Sequence, residues 1–297
     1  MIALIISTVC GAFFSIFFKI FQLRKINAVQ AIIFNYATAV VLGYFLSLGG
    51  EVVVNPLKAA WLPVAAFMGV FFIGGFVVMS LSTLRVGVAV TSVASRASMI
   101  IPIVFCFFFI PGSDTPRWFA IAVVFIALYM IIYSGKENEK RSKADIRKDF
   151  WLPVIVFVSF GLSSSLLKLL QFNVSSSSSV LRSDLNQELS LITSVIFLSA
   201  MFLGIIYYFT GPSNIRGKFQ FKNVLGGIAL GGCNFFCTYF LMVSMKSVQS
   251  VVLFPAHNIG IVLIDTLAGY LWFKEKISGL QMTGIVVSLL AIIMLFT

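Results

Sequence analysis

Apolar residues in this chain do not alternate with polar ones, and they do not keep to one stripe of a helix. They run on for about twenty positions, stop at a short polar stretch, and begin again. A helix needs roughly 20 apolar residues to cross about 30 Å of hydrocarbon at 1.5 Å per residue. Runs of that kind cover 2–22, 28–47, 61–83, 87–110, 117–134, 151–171, 189–210, 224–245, 249–273 and 279–296. The pattern predicts an all-α membrane protein of ten transmembrane helices. A membrane barrel would give short alternating segments instead. No Lys or Arg precedes the first run, MIALIISTVCGAFFSIFF, so it reads as a retained span and not as a cleaved signal peptide.

The polar stretches organise the ten runs. Gly135 to Phe150 (GKENEKRSKADIRKDF) is the most charged and reads as a solvated loop. It separates a first five-helix repeat, 1–134, from a second, 151–297. The run Ser175–Ser179 lies in a second expected loop, 173–183. The halves share detail as well as layout. Gly11, Ser15, Lys19 and Gln22 of the first helix are echoed by Gly161, Ser165, Lys168 and Gln171 of the sixth, one residue shorter. Five is an odd number, so two such halves enter the membrane in opposite directions. That is the inverted repeat on which many secondary transporters are built, with a binding site near the midplane.

Composition agrees with a bilayer and excludes a soluble fold. Hydrophobic residues make up 60% and charged ones 10%, against roughly 45–50% and 25% in soluble domains. A net charge of +11 would suggest nucleic acid in a soluble protein. Here fourteen of the 21 Lys and Arg fall in the loops after the first, third, fifth, seventh and ninth helices, so the excess reflects membrane topology and not nucleic-acid binding. The same rule places those loops inside and both termini outside. Cys10, Cys106, Cys233 and Cys237 all lie in apolar runs and read as packing residues, not as a disulfide framework or a metal site.

Ionisable residues within spans are costly and tend to face a bundle interior or a water-filled path. Here they are Lys19, Arg96, Lys168, His257 and Asp265. Arg96 is near mid-span among Thr91, Ser92, Ser95 and Ser98. Matching Lys246 to Arg85 across the repeat, an offset of 161, places His257 on Arg96. Two basic or titratable groups at matching depth suit an anionic substrate group, the guanidinium offering a planar fork to a carboxylate or phosphate. The alternative is a fixed pair between Arg96 and Asp265. His257, with Asn258 beside it, and Asp265 are also candidates to carry a coupling proton. Lys19 and Lys168 either line a cavity or reach to an interface. Asn35, Tyr36 and Asn234 are further candidates for substrate contact, and each equally suits an interhelical hydrogen bond.

The end of the chain, FKEKISGLQMTGIVVSLLAIIML from Phe273, resembles the EamA-like members of the drug/metabolite transporter superfamily, with an acid after the ninth helix and Gln and Gly opening the tenth: Glu275, Gln281 and Gly284. In the first half Pro102 and Asp114 fit the corresponding positions, whereas Pro255 comes too early to be the matching proline of helix nine. The resemblance implies ten helices from two five-helix repeats and alternating access around a central cavity. It also implies export or exchange of a small polar metabolite, such as an amino acid or a related organic anion, across a bacterial inner membrane. It names no substrate. No GxxxxGK[ST], HExxH or GxSxG occurs, so neither ATP use nor a recognisable enzyme is expected, and no cofactor is called for. A membrane-embedded enzyme and a channel are the rival readings.

Overall fold

The computed structural model describes residues 1–48, 56–86, 88–113, 115–134, 149, 151–176, 182–211, 216–217, 219–274 and 277–296. The 135–150 loop except Asp149, residues 177–179 of the serine run, Asp114 and Glu275 lie outside the described residues. Among those described, all regular structure is helical: α1 (Ile2–Leu23), α2 (Ala28–Ser47), a 3-10 turn at Pro56–Lys58, α3 (Leu62–Arg85), α4 (Val88–Ala97), α5 (Ile100–Phe109), α6 (Trp118–Ser134), α7 (Trp151–Ser176), α8 (Arg182–Thr210), α9 (Phe221–Ser244), α10 (Ser250–Phe273) and α11 (Gly279–Phe296). Eight spans are long and apolar enough to cross a membrane, one of them, Val90–Phe109, running through both α4 and α5. α6 and α11 are apolar but shorter.

One expectation needs refinement and one correction. The fourth run, 87–110, forms one candidate span, Val90–Phe109, in which the helix tightens between α4 and α5. Pro102 has no N–H for the Ser98 carbonyl and its ring crowds that oxygen. The chain tightens instead: Met99 N–H bonds to Arg96 O at 3.3 Å and Ile101 N–H to Ser98 O at 3.0 Å, while the Ser98 hydroxyl donates to Ser95 O at 2.6 Å. The loop expected at 173–183 is also shorter, because α7 continues to Ser176 and α8 starts at Arg182. Gln171 Nε2 donates to Ser175 Oγ, one turn on, at 2.7 Å, and this pair carries the helix into the serine run.

The described helices form two compact units, and neither coincides with a half of the sequence. Unit 1 comprises Met1–Ile73 with Leu166–Ser247, and unit 2 comprises Gly74–Ser165 with Val248–Thr297. Each takes its whole helices from both halves, and α3 and α7 are divided between the units.

In unit 1, α2 packs against α8 and α9, and α1 against α9. Gly227 and Gly231, one turn apart on α9, make the closest approach possible. A Cβ on them would come 2.5 Å from Ala31 O and 2.6 Å from Asn35 O, so the two backbones touch, as in small-residue packing between membrane helices. Ser190 and Ser194 of α8 donate to Gly43 O and Val40 O of α2 at 2.9 and 2.8 Å. One end is knitted by polar side chains. Asn223 Oδ1 accepts from Asn27 N–H at 3.1 Å, and its amide donates to Gln30 Oε1 at 2.7 Å. Gln30 Nε2 in turn donates to Gly217 O at 2.7 Å and Tyr208 Oη at 3.1 Å. At the other end Trp61 Nε1 donates to Glu188 Oε1 at 2.8 Å, and Lys246 Nζ to Asn186 Oδ1 at 2.6 Å.

In unit 2, α6 and α11 lie antiparallel along their length. Gln281 at the start of α11 reaches Ile131 O near the end of α6, at 3.4 Å, and Arg117 just before α6 reaches Met294 O near the end of α11, at 3.2 Å. α10 packs on α5, α6 and α11, and α4 on α6. Arg85, ending α3, lies 3.6 Å from Asp149, just before α7.

Candidate functional site

Unit 2 holds three of the five ionisable residues that the sequence places within spans, Arg96, His257 and Asp265. Arg96 occupies the last turn of α4, immediately before the break, where the helix dipole and exposed carbonyls favour a cation. Its Nη2 is 3.9 Å from Asp265 Oδ2 on α10, with the two side chains 22% and 27% exposed. His257 is on the same helix as Asp265, eight residues earlier, so about two turns away. It is buried and within electrostatic reach of Arg96. Helix α10 carries its own irregularity, since Pro255 has no N–H for the Val251 carbonyl. Asn258 turns back onto its own helix and donates to Phe254 O at 2.9 Å. Arg96 and Asp265 thus form a close pair beside the tightened turn of the Val90–Phe109 span, with His257 about two turns from Asp265 along α10 and Asn258 as its neighbour in sequence.

The hydroxyls around Arg96 are engaged within the protein. Thr91 shares a hydrogen bond with Ser82 of α3 at 2.6 Å, Ser95 bonds to Ser92 O at 3.3 Å, and Ser98 to Ser95 O. They hold α4 and its tightened turn in shape, and the Arg96–Asp265 pair with nearby His257 carries what chemistry the site has.

The remaining candidates belong to unit 1. Asn35 is buried, and its Oδ1 accepts from Asn234 Nδ2 at 3.2 Å, joining α2 to α9. Tyr36 is also buried and stacks on Phe197 with ring centroids 5.8 Å apart. Lys168 Nζ donates to Gln171 Oε1 at 2.9 Å and Met245 O at 2.8 Å. It thereby caps the C-terminus of α9. Lys19 is half-buried in α1. Cys233 and Cys237 are half-buried, and Ser7 Oγ of α1 donates to Cys237 O at 2.7 Å. No metal-ligand cluster occurs among the described residues.

The feature that the run of apolar residues concealed is the break at Ser98–Met99. Its signal was Pro102, which hydropathy counts as one more tolerable residue. The other concealed feature is the Gly227–Gly231 spacing that sets α9 against α2.

No family model matches the chain. It is 28% identical to an uncharacterized protein of Haemophilus influenzae over 300 residues, covering 99% of this chain and 97% of that one. A protein of known crystal structure superposes with a TM-score of 0.75 over 98% of this chain and 94% of its own, at 13% identity. The two share a fold, and that degree of identity carries nothing further.

Proposed function

We propose that the chain is a secondary transporter of the EamA-like type in the drug/metabolite transporter superfamily. In this reading it has ten membrane crossings in two inverted five-helix repeats and lies in a bacterial inner membrane. It exports or exchanges a small polar metabolite, an amino acid or related organic anion, by alternating access, with Asp265 or His257 as the candidate proton carrier. The observation that carries the reading is the tightened mid-span turn beside the Arg96–Asp265 pair, with His257 nearby. Within a membrane, charged side chains are costly and tend to face a bundle interior or a water-filled cavity. The tightened turn before Pro102, where Met99 keeps helical dihedrals, is a local irregularity of the kind proline introduces. Interrupted helices line the central sites of many transporters.

Parity supports ten crossings. Asn223, Gln30 and Gly217 tie the α1–α2 turn to the α8–α9 connection, so both lie on one side. The long spans between them are α2, α3, α4 with α5, α7 and α8, an odd number that would end on the wrong side. α6 supplies the missing crossing. Its 17 residues reach about 26 Å, which is short but within the range of membrane spans. α11 lies antiparallel along α6 and crosses with it. That each unit takes whole helices from both halves is compatible with an inverted repeat.

The test is flux into proteoliposomes of radiolabelled amino acids and phosphorylated metabolites, with and without a pH gradient. One class should move, and Arg96→Gln should abolish its uptake while the protein remains folded. Turnover of a lipid-like substrate with no flux of any class would replace transport by an enzyme.

A further inference from the structure

One end of unit 1 carries a surface that transport does not use. Arg24 and Lys25 follow α1, Arg216 precedes α9, and Lys222 is in the first turn of α9; all four are exposed. The Asn27–Gln30–Asn223–Gly217 network holds these segments against one another. Lys222 Nζ donates to Arg24 O at 3.0 Å, and Arg216 Nη2 to Gly211 O at 3.1 Å, so the basic groups are fixed to the same knot of backbone. Lys25 has a φ of 52°. Ile26 N–H bonds back to Phe21 O at 2.9 Å, closing the helix end that glycine usually closes without steric cost. A lysine keeps that position nonetheless.

Nothing in the sequence neutralises this group locally. No Asp or Glu occurs in residues 1–50 or 189–264, which include every helix end that meets here. Three large apolar side chains stand at the same level: Leu23 is 67% exposed, and Phe219 and Phe221 are each 69% exposed. The ring of Phe219 leans on Phe34 of α2, with centroids 6.3 Å apart. Basic groups interleaved with exposed aromatics at the mouth of a membrane helix match the headgroup layer. The aromatics enter the acyl boundary and the cations stay at the phosphates.

We propose that Arg24, Lys25, Arg216 and Lys222 form a binding site for anionic phospholipid, with Phe219 and Phe221 seated between its acyl chains. The partner is a phosphodiester lipid of net negative charge in the leaflet that meets these loops. The site depends on the chain spanning a membrane and not on what it transports, so it stands or falls apart from the flux experiment.

The full chain, purified in detergent, is titrated with phosphatidylglycerol and with phosphatidylcholine of the same acyl chains, and bound lipid is counted by native mass spectrometry. Phosphatidylglycerol should bind at least tenfold more tightly, since each basic group near an anionic lipid contributes roughly fivefold. Arg24→Gln, Lys25→Gln, Arg216→Gln and Lys222→Gln together should erase the preference. Arg24→Lys with Arg216→Lys should keep it, which separates lost charge from lost folding. Lys58→Gln with Lys246→Gln, at the other end of the unit, should leave it unchanged. Equal retention of both lipids by the wild type would overturn the proposal and leave the surface to an acidic soluble partner. Persistence of the preference in the quadruple variant would overturn it too. So would displacement by millimolar glycerol phosphate as effective as that by lipid, which would mean a soluble-phosphate site.

Discussion

At 3.9 Å, Arg96 and Asp265 are farther apart than a hydrogen-bonded ion pair, whose N–O separation is about 2.7–2.9 Å. A substrate carboxylate or phosphate that approaches to hydrogen-bond distance therefore competes with Asp265 for the same guanidinium. The sequence left two roles for Arg96, substrate contact or a fixed pair with Asp265. Under the proposed function the spacing is compatible with either role, and the variants below separate them. If the pair is an interaction and not mere proximity, Arg96→Gln and Asp265→Asn should each lower stability in detergent. The double variant should then lose less than the sum, with a coupling of about 0.5–1.5 kcal/mol, the range found between polar side chains of membrane helices. Additive losses in thermal unfolding would show that the 3.9 Å approach carries no energy. Asp265→Asn should also strengthen binding of an anionic substrate, because it removes the competing acceptor.

The helices were legible in the sequence wherever length and apolarity decide. α2, α3, α9, α10 and α11 begin and end within three residues of their expected limits. What hydropathy cannot see is the hydrogen-bond ladder. Met99, Ile100 and Ile101 around the break are as apolar as their neighbours, and only Pro102 marks the lost donor. The polar ends of α7 and α8 failed for the opposite reason: polar helical turns such as Asn173–Ser176 read as loop. The candidate cluster was legible in part. Rarity within spans singles out Arg96, His257 and Asp265, and an interhelical hydrogen bond is an open alternative for Asn35 and Asn234. Composition does not say which residues partner each other, so neither that pairing nor the capping by Lys168 could be read. A variant tests the break directly. Pro102→Ala restores a donor for Ser98 O and removes the ring clash, which in a helix interior cost about 3 kcal/mol or more. It should raise thermal stability and reduce flux through the proposed path. Unchanged flux would mean that the break is tolerated and not used. At the α2–α9 contact the sign reverses: Gly231→Leu should lower stability, because its side chain has only Asn35 backbone and Thr38 to meet.

For the whole molecule, the number of crossings fixes which loops share a side, and the side chains at the two ends of unit 1 make this a sharp test. Asn223 and Gln30 bond across between the α1–α2 turn and the α8–α9 connection. Trp61 with Glu188, and Lys246 with Asn186, draw together the segments before α3, before α8 and after α9. Both sets require an even number of crossings between Lys25 and Arg216; in the proposed topology that number is six, with α6 crossing despite its length. In a background lacking Cys10, Cys106, Cys233 and Cys237, single cysteines are placed by Lys25→Cys, Arg216→Cys, Lys58→Cys and Lys246→Cys. They are then probed in intact cells with a membrane-impermeant maleimide. Positions 58 and 246 should label from outside, and positions 25 and 216 only after permeabilisation, the sidedness that the fourteen basic residues of the odd loops favour. If the four positions paired in the same way but with the sides exchanged, ten crossings would stand and the charge rule would have misled. If 25 labelled with 246, and 58 with 216, α6 would not cross. The hydrogen bonds from Asn223 to the α1–α2 turn would then have to bridge a bilayer, which no side chain can do.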